Sequence, residues 1–161
     1  MRLNGTASVN SATIMVGCVA LSMSAVAWAA LGQPAASIAQ DGTPVSQPVH
    51  RLKQTLPTTV NVQSVQTTMG ALVTEYIASG VVFAVTWQGA MMPNLHQLLG
   101  EQAFQAVLAQ QVAQHHGAQN PANIHTADYV VQTWGHMGSL HGMAYLPTLM
   151  PAGFDASNLG E

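Results

Sequence analysis

A chain of 161 residues with three Lys or Arg, six Asp or Glu and a net charge of −3 has the length of one domain and lacks the basic footprint that phosphate neutralisation needs, which excludes nucleic-acid binding. Only 6% of residues are charged, against about 25% in an average soluble domain, so surface polarity has to come from Gln, Asn, Ser and Thr. No polybasic stretch is present to grip an anionic membrane.

Residues 1–29 read as a signal peptide. Arg2 supplies the positive end, residues 14–26 are an uncharged apolar run, and Ala27-Trp28-Ala29 has the small-x-small pattern read by signal peptidase. Cleavage after Ala29 would start the mature chain at Ala30, in the periplasm or outside the cell. That run is too short to cross a bilayer of about 30 Å, and no later segment reaches the roughly 20 apolar residues of a transmembrane helix. The mature chain is therefore expected to carry no membrane span. Cys18, the one cysteine, lies inside the run and leaves with it, which excludes a disulfide framework or a thiolate metal site.

Residues 30–59 hold Pro34, Pro44, Pro48 and Pro57 among Ala, Gln, Ser and Thr, with no apolar period. Such a segment buries too little surface to offset its chain entropy and is expected to be a flexible arm. From residue 60 to 161 a single domain is expected. Val60, Val62 and Val65 sit among polar residues, Gly70 marks a turn, and residues 72–77 form a second apolar run, so two strands are predicted. Ala78-Ser79-Gly80 supplies the next turn. Residues 81–87, Val-Val-Phe-Ala-Val-Thr-Trp, are dense in β-branched and aromatic side chains, as suits a central strand ended by Gly89. Alternation places Phe83, Val85 and Trp87 on one face and Val82, Ala84 and Thr86 on the other.

Pro93-Asn94 opens a helix, with Asn94 as its cap. Leu95, Leu98, Leu99, Ala103, Val107, Leu108 and Val112 recur at spacings of three and four and predict one apolar stripe lying on the face of Phe83, Val85 and Trp87. Gly100 costs this helix about 1 kcal/mol relative to Ala and allows a bend. His115-His116-Gly117 makes the helix end. Residues 119–123 read as a loop, residues 129–133 begin further strands, and residues 147–161 form a short turn-rich tail. The predicted fold is α+β: a mostly antiparallel sheet of about five strands, in the order β-β-β-α-β-β, with one long helix packed on one face.

Glu75-Tyr76, Phe83-Ala84-Val85, Trp87-Gln88-Gly89, Met92-Pro93 and His141-Gly142, with the stretch "AWAALG" at residues 27–32, resemble a family of short exported proteobacterial proteins known as a domain of unknown function (DUF2844). The resemblance covers most of the mature chain and implies export and an α+β domain. It departs at Gly138, where a small basic residue is expected, and at Met143, where a polar or charged one is. It implies no catalytic residue and no cofactor.

The stretch with the strongest claim to chemistry is "WGHMGSLHGMAY", residues 134–145. In an uninterrupted strand His136 and His141 would face opposite sides, while a turn or bulge at Gly138 would re-aim one of them. Met137, His141 and Met143, with His136, offer thioether and imidazole ligands suited to copper or zinc. The bland alternative packs Met137 and Met143 against the helix and gives His141 a structural hydrogen bond. A hydrolase would draw on Ser139, His141 and Asp128, but Ser139 lacks the Gly-x-Ser-x-Gly elbow that exposes an activated hydroxyl. Glu75, Glu101, Asp128 and Asp155 are too scattered in sequence to read as paired carboxylates. The favoured reading is a non-enzymatic binding or interaction module for a protein or small-molecule partner, needing no cofactor. The alternatives are a His/Met copper- or zinc-binding protein using residues 136–143, and a hydrolase.

Overall fold

The computed structural model describes residues 31–35, 42–46, 57–113 and 122–160. The segment expected to be a signal peptide, Cys18 within it, much of the expected arm and the helix end expected at His115-His116-Gly117 lie outside the described residues. These hold a seven-stranded antiparallel sheet and one α-helix. The strands are β1 (Thr43–Pro44), β2 (Val60–Gln66), β3 (Leu72–Ala78), β4 (Val81–Gly89), β5 (Asn123–His125), β6 (Val130–His136) and β7 (Ser139–Tyr145), and α1 (Leu95–Ala113) joins β4 to β5. The expected α+β class holds, but the sheet has seven strands rather than five. The extra ones, β1 and β5, are two and three residues long, too short to show a period of two, and β5 falls where the sequence reads as loop.

Spatial order is β1-β2-β3-β4-β7-β6-β5. Two meanders, β2-β3-β4 and β5-β6-β7, therefore meet through their last strands, and the apolar run of β4 occupies the centre as expected. Segment 31–35 extends this middle. Gly32 N–H donates to the Val82 carbonyl at 2.8 Å, Val82 N–H to the Gln33 carbonyl at 3.0 Å, and Leu31 N–H to the Leu98 carbonyl at 3.0 Å. Leu31 is buried in the core, so at these positions the segment expected to be an arm is docked on the domain.

Directly paired residues share a face of the sheet, and one face is sealed by the helix. Asn94 caps it, its Oδ1 accepting from Gln97 N–H at 3.3 Å, and Leu98, Leu99, Ala103 and Val107 pack on Val65, Val73, Val85, Trp87 and Val131. Gly100 does more than bend the helix. Its φ of 75° and ψ of 169° break it, a conformation glycine adopts without steric cost. The stripe is consequently narrower than predicted: Leu108 is 37% and Val112 76% exposed.

The predicted alternation of β4 fails at two residues: Val82 lies on the helix side with Val85 and Trp87, and Phe83 on the other. Tyr76 pairs with Ala84 but Ile77 pairs with Val82, which leaves Phe83 as the extra residue of a bulge. Phe83 is thereby turned away from the helix, while Val85 and Trp87 face it. On the opposite face Phe83 meets Tyr76 and Phe154 at ring centroid distances of 6.4 and 4.9 Å. Phe154 comes from the C-terminal tail, whose 3-10 turns Pro147–Leu149 and Ala156–Gly160 fold back over the lower part of this face, with Leu159 buried beside it. Burial raises the Tyr76 hydroxyl above its ordinary pKa, against the opposing effect of its hydrogen bond with Thr86.

Trp87 pairs with Gly142 across the β4–β7 seam. A Cβ on residue 142 would stand 2.2 Å from the Trp87 ring, so the indole occupies the space that any other residue would fill. The indole N–H is buried with no hydrogen-bond partner among the described residues. Phe83→Ala should cost about 3–5 kcal/mol in urea unfolding, whereas Leu108→Ala, on the exposed side of the helix, should cost under about 1 kcal/mol. Gly142→Ala should cost about 1–3 kcal/mol. Trp87→Phe in the Gly142→Ala background should recover part of that loss, and strictly additive losses would contradict the contact.

Candidate functional site on the open sheet face

The face opposite the helix is built in rows, each row taking one residue from each strand. The lowest row, Val62, Tyr76, Ala84, Tyr145 and Val130, ends in the exposed His125 on β5; it is apolar up to that edge and lies where the tail packs. The next holds Ser64, Thr74, Thr86, Met143, Gln132 and Asn123, and the one above it Gln66, Leu72, Gln88, His141 and Trp134. These two rows are half-buried or exposed at every position. They form an open polar surface about 24 Å wide, at about 4.8 Å per strand spacing.

The stretch at residues 134–145 supplies the upper corner of this surface. It is neither one strand nor a strand with a bulge, but two strands joined by a tight turn at Met137-Gly138, with Gly138 at φ 88°. The turn re-aims His136, which pairs with Ser139 and so shares a face with His141. Trp134 lies directly opposite His141, the two rings stacked at 6.1 Å with an interplanar angle of 10°. Ser139 Oγ lies 3.1 Å from His141 Nε2. Beside them the Gln132 amide donates to Asn123 Oδ1 at 3.3 Å and to His125 Nε2 at 2.8 Å. Ser64 and Thr74 share a 3.0 Å hydrogen bond on the far side.

The four residues proposed from sequence as metal ligands are only partly assembled. His136, His141 and Met143 share the open face, but Met143 packs against the Tyr76–Phe83 cluster and His136 Nδ1 donates to the Met137 carbonyl at 3.0 Å. Met137 sits in the turn, 82% exposed, and packs against nothing on the helix. Among the described residues no three His, Cys, Asp or Glu side chains are grouped to hold a metal ion.

The hydrolase set is also divided. Ser139 and His141 are in contact, but Asp128 lies in the β5–β6 turn, six residues along β6 from Trp134, about 20 Å away at about 3.3 Å per residue. Glu75 is completely buried on the helix side, between Gln63 and Val85, and belongs to neither arrangement. Sequence reading missed Trp134, Gln88, Gln132 and Thr86. The local signal for Gln132 and Trp134 is the alternation of β6, in which Val131 and Thr133 point inward, and that for Thr86 and Gln88 is the alternation at the end of β4 around the buried Trp87.

Charge is nearly absent from this surface. Arg2, Arg51 and Lys53, the three basic residues of the chain, all lie outside the described residues. The acids nearest the helix start are on the other side of the sheet, where His96 Nε2 and Glu101 Oε2 are 2.6 Å apart. No helix among the described residues is long and apolar enough to cross a membrane.

A family model described as "Protein of unknown function (DUF2844)" matches residues 27–159. No curated protein and no solved structure matches the chain.

The Glu101 carboxyl is held below its ordinary pKa first by the hydrogen bond from His96 and then by that from Gln105. A depressed carboxyl adds stability above the ordinary carboxylate range and loses it as pH falls through the depressed value. His96→Ala should move the Glu101 titration, followed by carbon-detected NMR, upward toward the ordinary value while leaving the Asp155 titration in place.

Proposed function

The chain belongs to the DUF2844 family of proteins of unknown function, and on that premise we propose that it is a non-enzymatic binding module whose ligand lies on the open sheet face. The observation that carries this reading is the unequal treatment of the two faces. One is sealed by α1 and the lower part of the other by the tail, yet the polar rows between Ser64 and Trp134 are left uncovered. Those rows hold side chains that donate and accept hydrogen bonds beside a stacked aromatic pair, the composition of a recognition surface.

Several observations favour binding over hydrolysis. Among the described residues the Ser139–His141 contact has no carboxylate to orient it, because Asp128 is at the far end of β6, and a base without its orienting group is a poor activator of serine. We place the protein in the periplasm or outside the cell, supported by Arg2, the apolar run and Ala27-Trp28-Ala29. Copper or zinc binding is the second reading, favoured by the turn that brings His136 and His141 to one face.

Native mass spectrometry of the protein purified from its own cell envelope tests these readings together. The parent should carry a non-protein mass that Gln88→Arg loses without loss of folding, and N-terminal sequencing should begin at Ala30. A ligand retained by Gln88→Arg would remove the face from consideration, and a bulk N-terminus at Met1 would end the export reading. A mass equal to copper or zinc, absent from His141→Ala, would replace the module with a metal-binding protein.

A further inference from the structure

The chemistry of the open face restricts what it can hold. Among the described residues no Lys or Arg occurs and no acid lies on the two polar rows, so the rows themselves offer a ligand no fixed charge. What the face offers is the Gln88 amide, the Gln132 carbonyl (its N–H groups being taken by Asn123 and His125), the hydroxyls of Thr74 and Thr86, which already share one hydrogen bond each with Ser64 and Tyr76, and the Trp134–His141 pair. Amides and hydroxyls each donate and accept, which matches a ligand whose own groups do both.

The aromatic pair adds a second restriction. Trp134 and His141 stand nearly parallel, 10° apart, at one end of a surface that is otherwise flat and polar. A ring face with no charge beside it attracts the C–H face of a partner that is apolar on one side and hydrogen-bonding at its rim. A pyranose has that shape: axial C–H bonds make its faces apolar while equatorial hydroxyls surround it. Resting on the proposed binding role of this face, we propose that the ligand is a neutral carbohydrate, one sugar ring stacked on the Trp134–His141 pair and its neighbours hydrogen-bonded along Gln88, Thr86 and Gln132. The open width admits several sugar units of a chain.

The test is affinity electrophoresis of the mature protein in gels containing dextran, hydroxyethylcellulose or galactomannan, with alginate as an acidic counterpart, followed by amide NMR with the polysaccharide that retards it. At least one neutral polysaccharide should retard the parent and alginate should not. Trp134→Ala should weaken binding about tenfold, and Trp134→Phe should recover most of it. Met137→Ala, in the exposed turn, should bind as the parent does. Retardation by alginate alone, or by none of the four gels, would overturn the carbohydrate assignment. Equal binding by Trp134→Ala would do the same. If a neutral polysaccharide binds but the shifted amides lie on the α1 side, the open-face reading itself falls, which separates the two failures.

Discussion

The β4–β7 ladder is the one pairing between the two meanders, and both faces of the sheet exist because it forms. Every other pair among β2 to β7 is a hairpin closed by a short turn, but Gly89 and Leu140 are about 50 residues apart in the chain. Closing a loop of that length costs about 3–4 kcal/mol by the logarithmic law. Burying the Trp87 indole, about 200 Å² of surface at about 25 cal/mol per Å², contributes about 5 kcal/mol. One aromatic side chain laid over Gly142 is therefore of the size needed to hold the seam. The helix follows from the same constraint, since it must carry the chain from the centre of the sheet to its far edge and is pressed onto β4 and β6 as it does so.

The covered and open faces depend on one irregularity within that frame. Without the bulge opposite Tyr76 and Ile77, Phe83 would lie under the helix and Phe154 would keep only the Tyr76 ring, at 5.9 Å, to pack against. With it, the tail finds an aromatic cluster at the lower end of the second face and stops there, leaving the rows of hydroxyls and amides above. The extent of the exposed surface is thus decided by where the tail's last apolar side chain, Leu159, comes to rest.

Much of this frame was legible in the sequence. The β-branched density of residues 81–87 marked the central strand, Asn94 marked the helix start, and the valines of β2 with the run after Gly70 marked a hairpin. Phe83 was assigned to the wrong face because a bulge is a property of two strands in register, and β4 alone alternates faultlessly. The narrowing of the helix stripe came from the conformation of Gly100, which composition does not reveal. The candidate site is legible only in fragments: His136, Ser139, His141 and Met143 stand together in the sequence, but Gln88 joins them only through a pairing across about 50 residues, and the pairing of Trp134 with His141 depends on the turn at Met137-Gly138.

The outermost strands set how copies of this protein meet one another. β1 has two residues, one of them Pro44 with no N–H to offer, and β5 has three. An edge this short is a poor template for strand addition, the usual route by which an exposed sheet recruits a second chain into an aggregate. A domain with almost no charge, and hence little electrostatic repulsion between copies, has particular need of that protection. Edges of two and three residues leave strand addition at β1 and β5 only a few ladder hydrogen bonds to form.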